Sequence, residues 1–117
     1  MVVITGASQG IGAEIAYEFA REVRGVRLAL VARSETKLRA VAARCNRLGA
    51  VAEVFVANVA DADAVKALES AVIARFRRVD VVVSNAGVFR PGSVLDTSVE
   101  AFDEMVAVNL RSQFLVT

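Results

Sequence analysis

The residues Thr5-Gly6-Ala7-Ser8-Gln9-Gly10-Ile11-Gly12 follow directly on the apolar run Val2-Val3-Ile4. Glycines at this spacing between a strand and a helix have a physical purpose. Gly6 permits a tight turn, while Gly10 and Gly12 let backbone and helix approach a pyrophosphate closely. A helix opening at Gly10 then offers unpaired N–H groups and the positive end of its dipole to phosphate oxygens. The context gives the pattern its weight, because the loop begins a chain of alternating strand and helix patterns. A dinucleotide-binding turn is expected, not a structural turn alone.

The ends of the later apolar runs carry the remaining candidates. At the end of the second run stand Ala32, Arg33 and Ser34. A site selective for NAD places a carboxylate near this point to hold the free ribose hydroxyls, and Ala32 has none. Arg33 can form a planar, charge-assisted fork with a 2′-phosphate, joined by the Ser34 hydroxyl. The plainer alternative has Ser34 capping the next helix and Arg33 in solvent. The missing acid and the basic residue together favour NADP(H) over NAD(H). Asn58-Val59 closes the third run, and Ser84-Asn85-Ala86-Gly87 closes the fourth.

Other chemistries are disfavoured by what is absent. The chain has no histidine, which removes the commonest general base and argues against a zinc or other metal site. Its single cysteine, Cys45, has no internal disulfide partner and reads as a small core residue on a helix. Charge is balanced at +1, from 14 basic and 13 acidic residues, so no nucleic-acid or membrane-surface footprint is expected. No apolar run approaches the roughly 18 residues that span a bilayer. The first strand starts at Val2, which leaves no room for a signal peptide, and the cytoplasm is the expected location.

The elements that must position these residues follow from periodicity. Apolar runs at Val2–Ile4, Arg27–Ala32, Val51–Ala57 and Val81–Val83 predict strands. Ile11, Ile15 and Phe19 predict the stripe of a first helix over 10–23. Leu38, Val41, Cys45 and Leu48 predict a second helix, stopped by Gly49. Asp61 is suited to cap a third, whose buried stripe is Val65, Leu68, Val72 and Phe76. A loop carrying Pro91 and Gly92 follows the fourth strand. Phe102, Met105, Val106, Leu110 and Phe114 then predict a helix running to the final residue.

Strands apolar throughout, alternating with amphipathic helices, imply an α/β fold with a doubly wound parallel sheet of the Rossmann type. Four strands and four helices over one domain, residues 1–117, are little more than half of such a fold, whose usual strand order is 3-2-1-4-5-6. The strand expected beside the fourth is missing, which would leave Val81–Ser84 as an exposed apolar edge. An apolar content of 56% and a mean hydropathy of +0.51 fit either an interior cut from something larger or a sheet covered on both faces.

The spacing T-G-x-x-x-G-x-G, with SNAG at 84–87 and VNL at 108–110, resembles the short-chain dehydrogenase/reductase family over the whole chain. The three-residue spacer is closer to its single-domain oxidoreductases than to its extended sugar-nucleotide epimerases. The resemblance implies that Gly6, Ser8, Gln9, Gly10, Ile11 and Gly12 line the pyrophosphate and adenosine ribose. Asn85, Ala86 and Gly87 would shape the cofactor cleft; Ser84 stands where the family usually has Asn. Asn58-Val59 would reach the adenine in place of the usual Asp, with the Asn carbonyl as acceptor.

The family's reaction needs an acid to protonate a carbonyl as hydride arrives, supplied by a tyrosine with a lysine four residues on. A serine positions the substrate, and an asparagine, matched here by Asn109, completes the set. Asn109 shares a helical face with Phe102 and Met105, so it is expected to face inward and to need hydrogen-bond partners. The only tyrosine, Tyr17, has Arg21 four residues later and reads as a packing residue. Lys37 and Lys66 have no tyrosine four positions before them.

Two functions remain, beside the reading of the chain as an inert, degenerate gene product that does not stay folded. One is the cofactor half of an oxidoreductase truncated at Thr117, transferring hydride reversibly between NADP(H) and a small-molecule ketone or secondary alcohol. Likeness to 3-oxoacyl-carrier-protein reductases and to sepiapterin-type reductases is about equal. The other is a non-catalytic dinucleotide-binding or interaction module, complete at this length. The last helix often serves in oligomers of the resembled family, so a homo-oligomer through it is one assembly that the resemblance allows.

Overall fold

A computed structural model describes residues 1–117. Each apolar run forms a strand: β1 (Val2–Thr5), β2 (Arg27–Ala32), β3 (Val51–Val56) and β4 (Val81–Val83). They make one sheet in the order β3-β2-β1-β4, all pairings parallel. Val2 lies opposite both Leu28 and Val81, and Arg27 lies opposite Val51. Parallel neighbours need crossovers, and α1 (Gly10–Glu22), α2 (Glu35–Arg47) and α3 (Ala62–Phe76) supply them.

The alternation of side chains along the strands divides the core in two. Ile4, Leu28 and Leu30 point to one face, where they meet Ala16 and Tyr17 of α1 and Leu38 and Cys45 of α2. Val3, Ala29 and Val31 point to the other, against Val65, Leu68, Val72 and Phe76 of α3. Helices on both faces explain why no strand alternates apolar with polar. The stripe predicted for α3 is therefore the buried one, and Asp61 caps it by accepting from the N–H groups of Asp63 (2.9 Å) and Ala64 (3.2 Å).

The stripe predicted for α1 is not the buried face. Ile11 is 74% exposed, and Ile15 and Phe19 are only partly buried. The helix instead buries Ala13, Ala16, Tyr17 and Ala20, because alanine lets it lie close to the sheet and to α2. Leu48, one of the four residues that predict the second helix, stands at its C-cap and is exposed.

The last helix departs further from expectation. It is broken into α4 (Val99–Val106), a π-helical turn at Ala107–Arg111, and α5 (Ser112–Val116). Phe102, Val106, Leu110 and Phe114 are all exposed, and the one buried residue is Ser112, whose hydroxyl donates to the Val108 carbonyl at 2.5 Å. Leu115 and Val116 pack against the α3 side of the core. The β4 edge is open as expected, with Val81 and Val82 exposed.

Candidate nucleotide-binding cleft

The turn from β1 into α1 is built on the turn that follows β4. Gly6 has φ +67°, and a Cβ there would lie 2.8 Å from Asn85 Nδ2 and 2.9 Å from the Ala86 Cα. Gly10, at φ +57°, has open space around it, so its backbone conformation alone calls for glycine. Thr5, buried at the end of β1, ties the two turns together. Its hydroxyl accepts the N–H groups of Asn85 and Ala86, each at 3.0 Å. Asn85 returns the bond, its side-chain amide donating to the Thr5 carbonyl at 3.0 Å.

These turns border a cleft of about 430 Å³ at the carboxyl ends of the strands. It opens between β1 and β4, where the chain order reverses, the usual place for a ligand in an open α/β sheet. Gly6, Ser8, Gln9, Gly10 and Ile11 form one wall. Arg33 and Ser34 stand at the end of β2, Asn58 and Val59 beyond β3, and Asn85, Ala86 and Gly87 beyond β4.

Gly12 is the exception among the predicted contacts. It does not line the cleft; a Cβ there would lie 2.4 Å from the Gly6 carbonyl oxygen and 2.5 Å from Asn85 Nδ2. Its smallness lets α1 seat against its own loop, so its contribution to the cleft is indirect.

Several polar groups on the wall have uncommitted bonding capacity. Gln9 and Ser34 occupy the N-cap positions of α1 and α2, yet neither side chain caps its helix. The plainer reading of Ser34, a capping hydroxyl, is thus only half met: the position is right and the bond is absent. Arg33 is exposed and forms no ion pair. Asn58 is also exposed, and its side-chain oxygen already accepts the Ala60 N–H at 3.2 Å, which leaves one lone pair for a ligand.

Asn109 is not the inward-facing core residue predicted from its helical face. It lies in the π turn and is exposed overall, and Phe102 of the same predicted face is exposed as well. Both ends of its amide are nevertheless paired with one residue. Oδ1 accepts the Val88 N–H and Nδ2 donates to the Val88 carbonyl, each at 2.8 Å. Asn109 therefore clamps the segment leaving β4.

Sequence reasoning missed Lys37, which lines the cleft and donates from Nζ to Gln9 Oε1 at 2.6 Å. The available signal was a cation in the first turn of a helix, where the dipole disfavours it. Val88 and Val108 also line the cleft and carried no signal beyond being apolar. No carboxylate lines it, and its two charged side chains, Arg33 and Lys37, are both basic. Tyr17 packs in the core under the Arg44 guanidinium at 3.9 Å, outside the cleft. Cys45 is buried, and desolvation pushes its thiol above the ordinary range. No group of three or more metal-ligating side chains assembles, and no helix is long and apolar enough to cross a membrane.

A family model described as short chain dehydrogenase matches residues 1–117. The chain belongs to the short-chain dehydrogenase family. Probable oxidoreductase EphD of Mycobacterium tuberculosis is 41% identical to this chain, over 94% of this chain and 18% of its own length. Sepiapterin reductase of Chlorobaculum tepidum is 34% identical, over all of this chain and 50% of its own. Among solved structures, an alcohol dehydrogenase from Thermococcus sibiricus, complexed with 5-hydroxy-NADP, superposes with a TM-score of 0.93 at 39% identity. That match covers 98% of this chain and 48% of the other. This short-chain dehydrogenase chain thus spans half or less of the length of these relatives.

Proposed function

We propose that residues 1–117 are the cofactor-binding half of an oxidoreductase that transfers hydride reversibly between NADP(H) and a ketone or secondary alcohol. The observation that carries this reading is the charge of the cleft: two cations, no carboxylate, and an unpaired Arg33 at the end of β2. A nucleotide with an extra phosphate suits that lining better than one whose ribose hydroxyls seek an acid. The NADP-type ligand of the Thermococcus sibiricus relative supports the same choice.

The residues fit the group. The Gly6–Gly10 turn leaves the α1 N-terminus open toward the pyrophosphate, with Ser8 and Gln9 beside it. Arg33 and Ser34 would take the 2′-phosphate, Asn58 and Val59 the adenine, and Asn85, Ala86 and Gly87 the central wall. Gly12 would act through the loop's shape. When bound, the nicotinamide supplies or accepts the hydride. Asn109 contributes by fixing Val88, and no acid in this chain reaches the cleft. We therefore assign proton delivery to residues outside 1–117, to the Tyr-x-x-x-Lys pair that the family resemblance implies.

Titration of the protein with NADPH and NADH, followed by cofactor fluorescence, tests the reading. NADPH should bind about tenfold tighter or better, as expected for one added charge-assisted contact. Equal affinities would remove the NADP(H) preference, and no binding of either would remove the oxidoreductase reading itself.

A further inference from the structure

We infer that Lys37 is a second cation for the cofactor's 2′-phosphate, held over the cleft by Gln9, and so determines cofactor specificity together with Arg33. The inference rests on the NADP(H) reading above and deepens it.

Lys37 sits in the first turn of α2, three residues past Ser34. Its ammonium donates to Gln9 Oε1 at 2.6 Å, a bond between residues 28 positions apart. Gln9 stands at the N-cap position of α1 and caps no N–H group there, so its side-chain oxygen is committed to Lys37. The bond joins the starts of the two helices at the wall of the cleft. A flexible surface lysine is thereby directed over the site. One of its three donors is used, which leaves the others for a ligand.

The surrounding charges show what is missing. Positive charge in the first turn of a helix opposes the dipole. The carboxylate of that same turn, Glu35, accepts from Arg39 Nε at 2.9 Å and does not line the cleft. Lys37 forms no ion pair, and neither does Arg33. Two unpaired cations flank the unused hydroxyl of Ser34, at the place where the family's ribose would lie. A phosphate monoester carries a charge of about −1.5 to −2 near neutral pH and accepts several hydrogen bonds. It would neutralise both cations, which a free ribose hydroxyl cannot do.

The plainer role for the Lys37–Gln9 bond is a surface strap between helices. A strap would affect both nucleotides alike, and a phosphate contact only one. Lys37→Met keeps the aliphatic stem and removes the charge, and a thermal melt of the variant checks that its fold is unchanged. Calorimetric titrations with NADP⁺ and NAD⁺ should show NADP⁺ weakened about tenfold and NAD⁺ less than about twofold, the size expected of one exposed charge-assisted contact. Lys37→Arg should stay within about threefold of the parent for NADP⁺. Gln9→Leu frees the lysine and should weaken NADP⁺ by a smaller factor than Lys37→Met does. Equal losses for both nucleotides, or no loss for either, would overturn the role given to Lys37 while leaving the oxidoreductase reading intact. A parent protein that binds neither nucleotide would overturn both.

Discussion

Thr5 and Asn85, 80 positions apart, hold each other at the ends of neighbouring strands by two hydrogen bonds of 3.0 Å, one to the threonine hydroxyl and one to its carbonyl. The phosphate loop and the turn after β4 are thus one bonded unit. Much of the cleft's shape depends on that single buried hydroxyl, which also accepts the Ala86 N–H.

Replacing Thr5 with valine keeps the volume and removes the hydroxyl. The N–H groups of Asn85 and Ala86 then lose their acceptor in a site where Thr5 is 2% exposed. Each partly buried, unsatisfied group costs about 1–3 kcal/mol, so Thr5→Val should lower stability by about 2 kcal/mol or more. Urea unfolding measures this directly, and a loss under about 0.5 kcal/mol would mean that the two N–H groups find other partners.

The glycines of the loop should respond unequally to alanine. At Gly12 the new methyl meets backbone at 2.4 Å, which only a shift of helix or loop relieves. At Gly10 it meets open space, and the cost is that of a left-handed backbone, about 1–2 kcal/mol. Gly12→Ala should therefore cost about 3 kcal/mol or more, the upper range of overpacking. The reverse order in a thermal-melt comparison would contradict the packing role given to Gly12.

The sheet and the three crossover helices were legible because strands buried on both faces are apolar throughout, and because residues such as Asp61 and Gly49 mark helix ends. The buried face of α1 was not. Hydropathy ranks Ile11 and Phe19 above Ala13 and Ala16, whereas a helix packed close to a sheet needs small residues there. The π turn leaves no local mark, and the helical face shared by Asn109 and Phe102 is exposed where its apolar residues imply burial. Lys37 was hidden for another reason. An exposed lysine is ordinarily solvated, and only its bond to Gln9, formed by tertiary folding, brings it to the cleft.

Cys45 should be chemically silent in the native protein. It is fully buried, and desolvation raises its thiol pKa, so the thiolate that reacts is scarce. Alkylation at pH 8 should proceed no faster than unfolding. The same shift sets a slope in stability. Above the ordinary thiol value of about 8.5, the unfolded chain releases a proton that the folded chain retains, so stability falls as pH rises. Cys45→Ala should remove that part of the slope. An unchanged slope between pH 8 and 10 would assign it to other groups.

Residues 1–117 on their own should self-associate through the open edge at β4. Val81 and Val82 are 42% and 38% exposed beside an apolar groove formed with Val72, Ile73 and Leu115. Unpaired strand backbone with apolar side chains is a template for further pairing. Val82→Lys should raise the concentration at which light scattering first detects aggregates. If the parent stays monomeric at millimolar concentration, the edge is less adhesive than its exposure implies.

Asn109 offers the sharpest contrast between two substitutions at one position. Its amide presents an acceptor to the Val88 N–H and a donor to the Val88 carbonyl, both at 2.8 Å. Alanine removes both bonds and leaves two backbone groups that water can reach, since the site is exposed. A loss of about 1 kcal/mol follows, and hydrogen exchange at the Val88 amide should accelerate about fivefold to tenfold. Aspartate keeps the acceptor, but it sets a carboxylate oxygen against the Val88 carbonyl, where two acceptors face each other with no proton between. Asn109→Asp should therefore loosen the clamp at least as much as alanine does near pH 7, and less at pH 3, where the protonated acid can donate. A clamp that needed only an acceptor would leave Asn109→Asp like the parent at both pH values. Because Val88 lines the cleft, the loosening should also weaken nucleotide binding, without favouring NADP⁺ or NAD⁺. That lack of preference separates Asn109 from Lys37, whose loss should act on the phosphorylated nucleotide alone.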